Sequence, residues 1–229
     1  MEKRQEKILK LIIKEYIRSA EPVSSKWISQ KYKIDLSSAS LRLEMAKLKN
    51  DGYLFQPYTS AGSIPTESAY RFFAKKLCSP RLSSKIEEEI EKAFLKEKEE
   101  EMIEELGKLI ALFSKGISLL FFENKIFWQG LSFLMSQPEF CMQKDAIEAI
   151  VVFENICDKI ERIEEDLLIN TEIKIFIGKS DPFICSKELS LIIGGFKNGI
   201  VGILGPERMD YTTNIALVKK AKEMIEEKI

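Results

Sequence analysis

The chain contains no histidine in its 229 residues. That removes Ser-His and Cys-His nucleophile pairs and every histidine-ligated metal site. Cysteine is scarce as well. Cys78, Cys141, Cys157 and Cys185 are widely scattered with no C-x-x-C pair. Such spacing predicts reduced thiols rather than a metal site or a disulfide frame. Long apolar runs are missing. Stretches such as Ile147 to Phe153, which Glu148 interrupts, fall far short of the ~20 residues that span a bilayer, so no membrane partner is expected. The N-terminus is charged at once (Glu2, Lys3, Arg4) and lacks an apolar h-region, which predicts a cytoplasmic chain. A phosphate-cradling loop is also absent. Gly178-Lys179-Ser180 resembles the end of a P-loop, but Ile173 stands where the motif needs its first glycine. Gly194, Gly195, Gly199, Gly202 and Gly205 read as hairpin and strand-edge glycines. Acidic pairs such as Glu164-Glu165 fall on a predicted helical surface. No catalytic constellation and no cofactor site survives, and the chain is not expected to be an enzyme.

What remains is a globular composition, with 45% apolar and 31% charged residues, in a chain long enough for one large or two modest domains. The net charge of −1 is unevenly spread. Residues 1–81 hold 16 Lys+Arg against 8 Asp+Glu, and residues 82–229 hold the other 19 against 28. A basic first third on an acidic body points to a nucleic-acid partner at the front.

The most informative stretch runs from Ser37 to Thr66. Ser37 or Ser38 is placed to cap a helix whose Leu41, Met45 and Leu48 repeat at helical spacing. Asn50-Asp51-Gly52 ends it, with Gly52 suited to the left-handed position. Tyr53 to Gln56 reads as a short strand, and Pro57 to Pro65 as an exposed loop with a stiffened return. Upstream, Lys3 to Ser19 is a strong amphipathic helix, with Ile8, Leu11, Ile12, Tyr16 and Ile17 on one face. Glu21-Pro22 breaks it. A second helix, capped by Ser24 or Ser25, runs through Tyr32, with Trp27, Ile28 and Lys31 near its apolar side. Two helices joined by a short turn, followed by a wing, fit a winged helix-turn-helix. In such a domain the start of the second motif helix meets base edges or phosphates. Here that segment holds Ser38, Ser40 and Arg42, with Lys47 and Lys49 further along. Arg42 alone has a bidentate fork. Thr59 and Ser60 in the wing are candidate phosphate donors, and Lys26 and Lys31 add charge.

Beyond the wing, Thr66 is expected to cap a helix over Glu67 to Leu77 with Tyr70, Phe73 and Leu77 on one stripe. Ser79-Pro80-Arg81 is a linker candidate. Ser84-Lys85-Ile86-Glu87 has the form of a capping box. It opens a helical stretch to about Phe113, in which Lys96 to Glu101 marks a solvated face or a break; an interrupted dimerising coiled coil is the sharper reading. From Gly116 the pattern becomes mixed. Strands are expected over Gly116 to Phe122, Lys125 to Trp128, Glu172 to Gly178, Leu189 to Gly195 and Gly199 to Gly205, with Asn198-Gly199 in a hairpin turn. Helices are expected over Phe140 to Arg162 and from Tyr211 onward. The fold class is α+β: an N-terminal winged helix-turn-helix over 1–78, a helical linker with a possible dimer contact over 79–113, and a small antiparallel sheet domain with flanking helices over 114–229.

Several segments together resemble the HrcA family, heat-inducible transcription repressors of bacteria. They are Glu21-Pro22-Val23-Ser24-Ser25, Ser37 to Met45, and Gln56 to Thr66 with Gly62 in the wing. Downstream, Gln129-Gly130-Leu131-Ser132-Phe133-Leu134 with Gln137-Pro138-Glu139-Phe140, and Gly205-Pro206-Glu207-Arg208-Met209-Asp210-Tyr211, look like two more family motifs. The resemblance implies a homodimer on an inverted-repeat operator upstream of chaperone genes, dependence on the chaperonin, and a GAF-like sheet domain. It also implies a block of early GAF-like strands and an inserted dimerisation domain, which this chain lacks near Ser114 to Lys125. The family commonly has Asn at Leu43, His at Tyr58 and Arg at Ser63. The alternative function is a protein-interaction or ligand-sensing module that binds DNA weakly.

Overall fold

The computed structural model describes residues 1–32, 34, 36–77, 80–160, 172–181, 183–197 and 199–228. Cys78, Ser79, Arg162, the Glu164-Glu165 pair and Asn198 of the expected turn therefore lie outside the described residues. The chain divides into two compact units, Met1–Lys76 and Leu77–Ile229.

The first unit begins with α1 (Lys3–Ser19), α2 (Ser25–Tyr32) and α3 (Ser38–Asn50). A two-stranded antiparallel ribbon follows, β1 (Leu54–Phe55) and β2 (Ile64–Pro65), paired Leu54 to Pro65 and Phe55 to Ile64. Helix α4 (Glu67–Lys75) closes the unit. Local chemistry sets these bounds. Ser24 Oγ accepts from the Trp27 amide at 3.1 Å and Ser37 Oγ from the Ser40 amide at 3.1 Å, so each serine satisfies a free donor of a first turn. Gly52, at φ +78°, supplies the left-handed residue past the end of α3. Thr66 does not cap α4 with its side chain. Its hydroxyl donates instead to the Gly52 carbonyl at 2.7 Å, tying the end of α3 to the start of α4.

The core of this unit is Ile8, Leu9, Ile12, Ile13, Ile28, Leu41, Leu48, Leu54, Ala69 and Tyr70. Leu41, Met45 and Leu48 are buried as their spacing predicts. On α1 the buried stripe takes in Leu9, Ile13 and Glu15, while Leu11, Tyr16 and Ile17 are only half-buried. On α4 the buried residues are Ala69, Tyr70 and Ala74 rather than a stripe through Phe73. Trp27 is 51% exposed and belongs to no core.

The second unit is built on a five-stranded antiparallel sheet in the order β4-β3-β7-β6-β5. Its strands are β3 (Ile117–Phe122), β4 (Lys125–Gln129), β5 (Lys174–Ile177), β6 (Leu189–Phe196) and β7 (Gly199–Pro206). Strands β6 and β7 are paired along their full length, from Leu189–Pro206 to Phe196–Gly199. Alternation along the strands divides the sheet into two faces. Ile117, Leu119, Phe121, Leu189, Leu191 and Ile193 pack with Leu134 of α7 (Leu131–Met135), Phe140, and Ala149, Phe153 and Ile156 of α8 (Gln143–Asp158). The opposite face carries α6 (Glu99–Ser114) and α9 (Tyr211–Lys228). Helix α5 (Ser84–Ala93) packs on α6. Apolar helices on both faces explain why β3, β6 and β7 are buried throughout.

The stretch 84–113 is broken between α5 and α6, where the charged run begins. Its apolar residues Ile90, Ala93, Met102, Ile103, Leu106 and Ile110 are buried within the second unit, while Leu95 and Leu112 are exposed. The helices expected to form a separate linker over 79–113 fall inside that unit. Ser83 rather than Ser84 is the N-cap of α5, and no side chain caps it, which replaces the predicted capping box. Cys141 and Cys157 are free thiols, and burial raises the Cys157 thiol above its ordinary value. No helix among the described residues is long and apolar enough to cross a membrane.

Candidate nucleic-acid interface

Helix α3 presents one open face. At 3.6 residues per turn, Ala39, Leu43, Ala46 and Asn50 follow one line along the helix, with Arg42 on one flank and Lys47 on the other. All six are exposed. The opposite face, with Leu41, Met45 and Leu48, is fixed in the core. The helix is thus oriented by its own apolar stripe.

Beside the Arg42 flank the ribbon forms a cleft of about 540 Å³. Arg42, Lys49, Thr59, Ser60 and Gly62 line it together, with Gln56 at its base. Gln56 organises the loop. Its amide nitrogen donates to the carbonyls of Thr59 and Ala61, each at 2.9 Å, and its oxygen accepts from Lys49 Nζ. The Ala61 amide closes a turn on the Tyr58 carbonyl at 2.9 Å. Residues Thr59 and Ser60 are held at the exposed tip as a result. A further pair of bonds anchors the loop's return. Val23 and Ser63 exchange both backbone hydrogen bonds at 2.9 Å, which adds the segment before α2 to the ribbon as a single bridge. Gly62 makes this possible. A Cβ there would lie 2.5 Å from the Val23 carbonyl carbon and 2.6 Å from the Pro22 carbonyl oxygen. Its role in the structure is close backbone approach.

The predicted site residues therefore separate into groups. Arg42, Thr59, Ser60 and Gly62 converge on the cleft, and among the described residues Arg42 makes no ion pair. Ser38 is half-buried, with its hydroxyl 3.5 Å from that of Ser25 across the α2–α3 joint. Ser40 shares a 3.0 Å contact with the capping Ser37 hydroxyl. Lys47 pairs with Glu44 at 3.3 Å on the far flank, where it offsets a buried carboxylate. Lys26 is exposed on α2 and does not line the cleft. Lys31 points to another task.

That task centres on Glu15, which is buried at 4% exposure. Its carboxylate accepts from Trp27 Nε1 at 2.8 Å, Lys31 Nζ at 2.7 Å and the Tyr32 hydroxyl. Burial alone would raise its pKa. The bonds from Lys31, Tyr32 and Trp27 and the Lys31 charge outweigh it, and hold the group at about 2. Tyr32 is pushed up to about 12, by burial first and then by its bond to Glu15 and that carboxylate's charge. This cluster fixes α2 on α1, and with it the start of the joint that sets α3. Neither Glu15 nor Gln56 stands out in the sequence, because each acquires its role from partners distant in sequence or packed across a turn.

A family model described as "HrcA protein C terminal domain" matches residues 65–215. The heat-inducible transcription repressor HrcA of Natranaerobius thermophilus is 54% identical over 80 residues, which cover 35% of this chain and 23% of that protein. The HrcA of Carboxydothermus hydrogenoformans is 41% identical over 121 residues, covering 52% of this chain and 34% of that one. The chain thus aligns with about a quarter to a third of the length of these curated relatives. A solved structure titled "Crystal structure of a hypothetical protein at 2.2 A resolution" matches with a TM-score of 0.77 at 17% identity, covering 99% of this chain and 98% of that one, which shows the fold alone. With a family match running from the ribbon's return strand, through the whole sheet, into α9, the chain belongs to the HrcA family.

Proposed function

We propose that this protein is a sequence-specific DNA-binding repressor of transcription. Its first unit acts as a winged helix-turn-helix, with α3 as the recognition helix and the loop between β1 and β2 as the wing. It binds an inverted-repeat operator at chaperone genes as a homodimer, and its second unit, a reduced GAF-like sheet domain, links that binding to the chaperonin. The observation that carries the reading is the convergence of an unpaired Arg42 with Thr59 and Ser60 beside an open face of α3. An Arg fork at a groove floor reads guanine or clamps phosphate, and two hydroxyls at a loop tip suit the adjacent backbone. The names of the aligned repressors agree with it.

The test is selection of duplexes from a randomised library by the full chain, followed by mobility shift. The expected outcome is enrichment of an inverted repeat whose affinity falls steeply with salt as phosphate counterions are released. Equal affinity for the enriched duplex and its scrambled version would sink the reading. A second reading, a ligand-sensing or protein-interaction module, draws on a cleft of about 460 Å³ in the second unit that gathers Lys159, Lys179 and Lys187 around Phe183. It predicts no enriched sequence and a shallow salt dependence.

A further inference from the structure

The open face of α3 has an unusual centre. Leu43 is 67% exposed, and Ala39 and Ala46 beside it are exposed as well. A leucine left in water forgoes the burial free energy that its side chain gains elsewhere. Charge brackets the strip, with Arg42 on one flank and Lys47 on the other, while no acidic side chain lies among the exposed residues of this face. From Ala39 to Ala46 the helix rises about 10 Å, at 1.5 Å per residue. That length covers roughly three base-pair steps at 3.4 Å per step. An apolar strip of this length between two cations matches one occupant well. In the major groove the only apolar feature on any base edge is the thymine C5-methyl, and phosphates border it on both sides.

We infer that Leu43, with Ala39 and Ala46, reads thymine by packing on C5-methyl groups in the major groove, so that Leu43 is a specificity-determining residue. The inference rests on the DNA-binding reading above. It adds to that reading the chemical feature recognised at the centre of α3: methyls, with no hydrogen bond to a base from this position.

The experiment uses the full chain and the duplex enriched from the randomised library. Each dT within the enriched core is replaced in turn by deoxyuridine, which removes the methyl and leaves every base-edge donor and acceptor. The wild-type chain is expected to bind about fourfold more weakly for a methyl that packs on Leu43, from ~0.8 kcal/mol per buried carbon. Leu43→Ala is expected to lower affinity for the dT duplex and to lose the dT-over-dU preference at that position. Its salt dependence should match wild type, since no phosphate contact is removed. Circular dichroism checks that Leu43→Ala keeps its helices, as an exposed residue should allow. Equal wild-type affinity for dT and dU duplexes at every position overturns the inference and leaves the DNA-binding reading standing. So does a preference that survives Leu43→Ala. Weaker self-association in Leu43→Ala with unchanged dT discrimination would make the strip a protein contact and overturn it too. If no duplex is enriched, the DNA-binding reading and this inference fall together.

Discussion

Replacing Glu15 with Gln removes the charge at the α1–α2 joint while keeping its volume. The magnitude follows from the geometry. The native carboxyl titrates at about 2 against an ordinary 4.5. At about 1.4 kcal/mol per tenfold, that gap sets a ceiling near 3 kcal/mol. Lys31 is a third exposed at its side chain, against 5% for Glu15, so solvent screens its share. The amide also keeps one acceptor for Trp27 or Tyr32. A loss of about 2 kcal/mol is therefore expected for the first unit at neutral pH. The two tryptophans make the assay clean, since Trp27 lies in the first unit and Trp128 in the second. In a Trp128→Phe background of the full chain, Trp27 emission follows the first unit, and its urea midpoint should fall by about 1–2 M at a slope of 1–2 kcal/mol/M. The pH dependence supplies an independent check. A carboxyl whose native pKa is depressed contributes its stability above 4.5 and loses it as pH falls toward 2. Tyr32, raised to about 12, contributes below its ordinary 10.0 and loses that contribution as pH rises through 12. Wild type should lose stability between pH 4.5 and 2, and Glu15→Gln should be flatter there. An unchanged Trp27 midpoint in Glu15→Gln, or an acid limb as steep as wild type, would refute the assignment of Glu15 as the anchor of α2.

Other substitutions probe the ribbon, the sheet unit and the interface. Gly62→Ala would drive a Cβ into the backbone of Pro22 and Val23, and should cost the first unit about 1–3 kcal/mol on the same Trp27 readout. In the second unit, Arg208 is 8% exposed, pairs with Glu139 through Nε and Nη2, and donates to Gln137 at 2.9 Å. Glu139→Ala removes the hydrogen bonds that this carboxylate accepts from the guanidinium and should cost about 1.5–3 kcal/mol, read by Trp128 emission in a Trp27→Phe background. Arg42→Ala should weaken binding to an enriched duplex by about 1–3 kcal/mol without lowering stability, because Arg42 is exposed and unpaired.

The elements of the first unit were legible wherever one residue type dictates backbone geometry. Ser37 caps α3, Gly52 ends it in the left-handed region, and the apolar stripe of Leu41, Met45 and Leu48 points inward. The strands of the sheet were legible because apolar runs bounded by glycine have few other uses in a chain of this composition. What escaped depends on tertiary partners. Glu15 reads as one more surface charge until Trp27, Lys31 and Tyr32 converge on it. Val23, just ahead of α2, carries no strand pattern of its own until Ser63 pairs with it. Helix α7 is five residues long, too short for a periodicity to emerge. Of the candidate interface, Arg42, Thr59 and Ser60 are brought to one cleft, whereas Ser38, Ser40 and Lys47 are already engaged by Ser25, Ser37 and Glu44. Residue type and position suggested all six alike; only side-chain partners separate those free to meet a ligand from those holding the motif together.

On the function proposed above, the open face of α3 and its neighbouring cleft read DNA sequence. The most direct measurement is the affinity ratio between an enriched duplex and its scrambled version at fixed salt, for wild type and for Arg42→Ala. Wild type should show a large ratio that shrinks in Arg42→Ala while the first unit stays folded by Trp27 emission. A ratio near one for wild type, or one that Arg42→Ala leaves untouched, would contradict it.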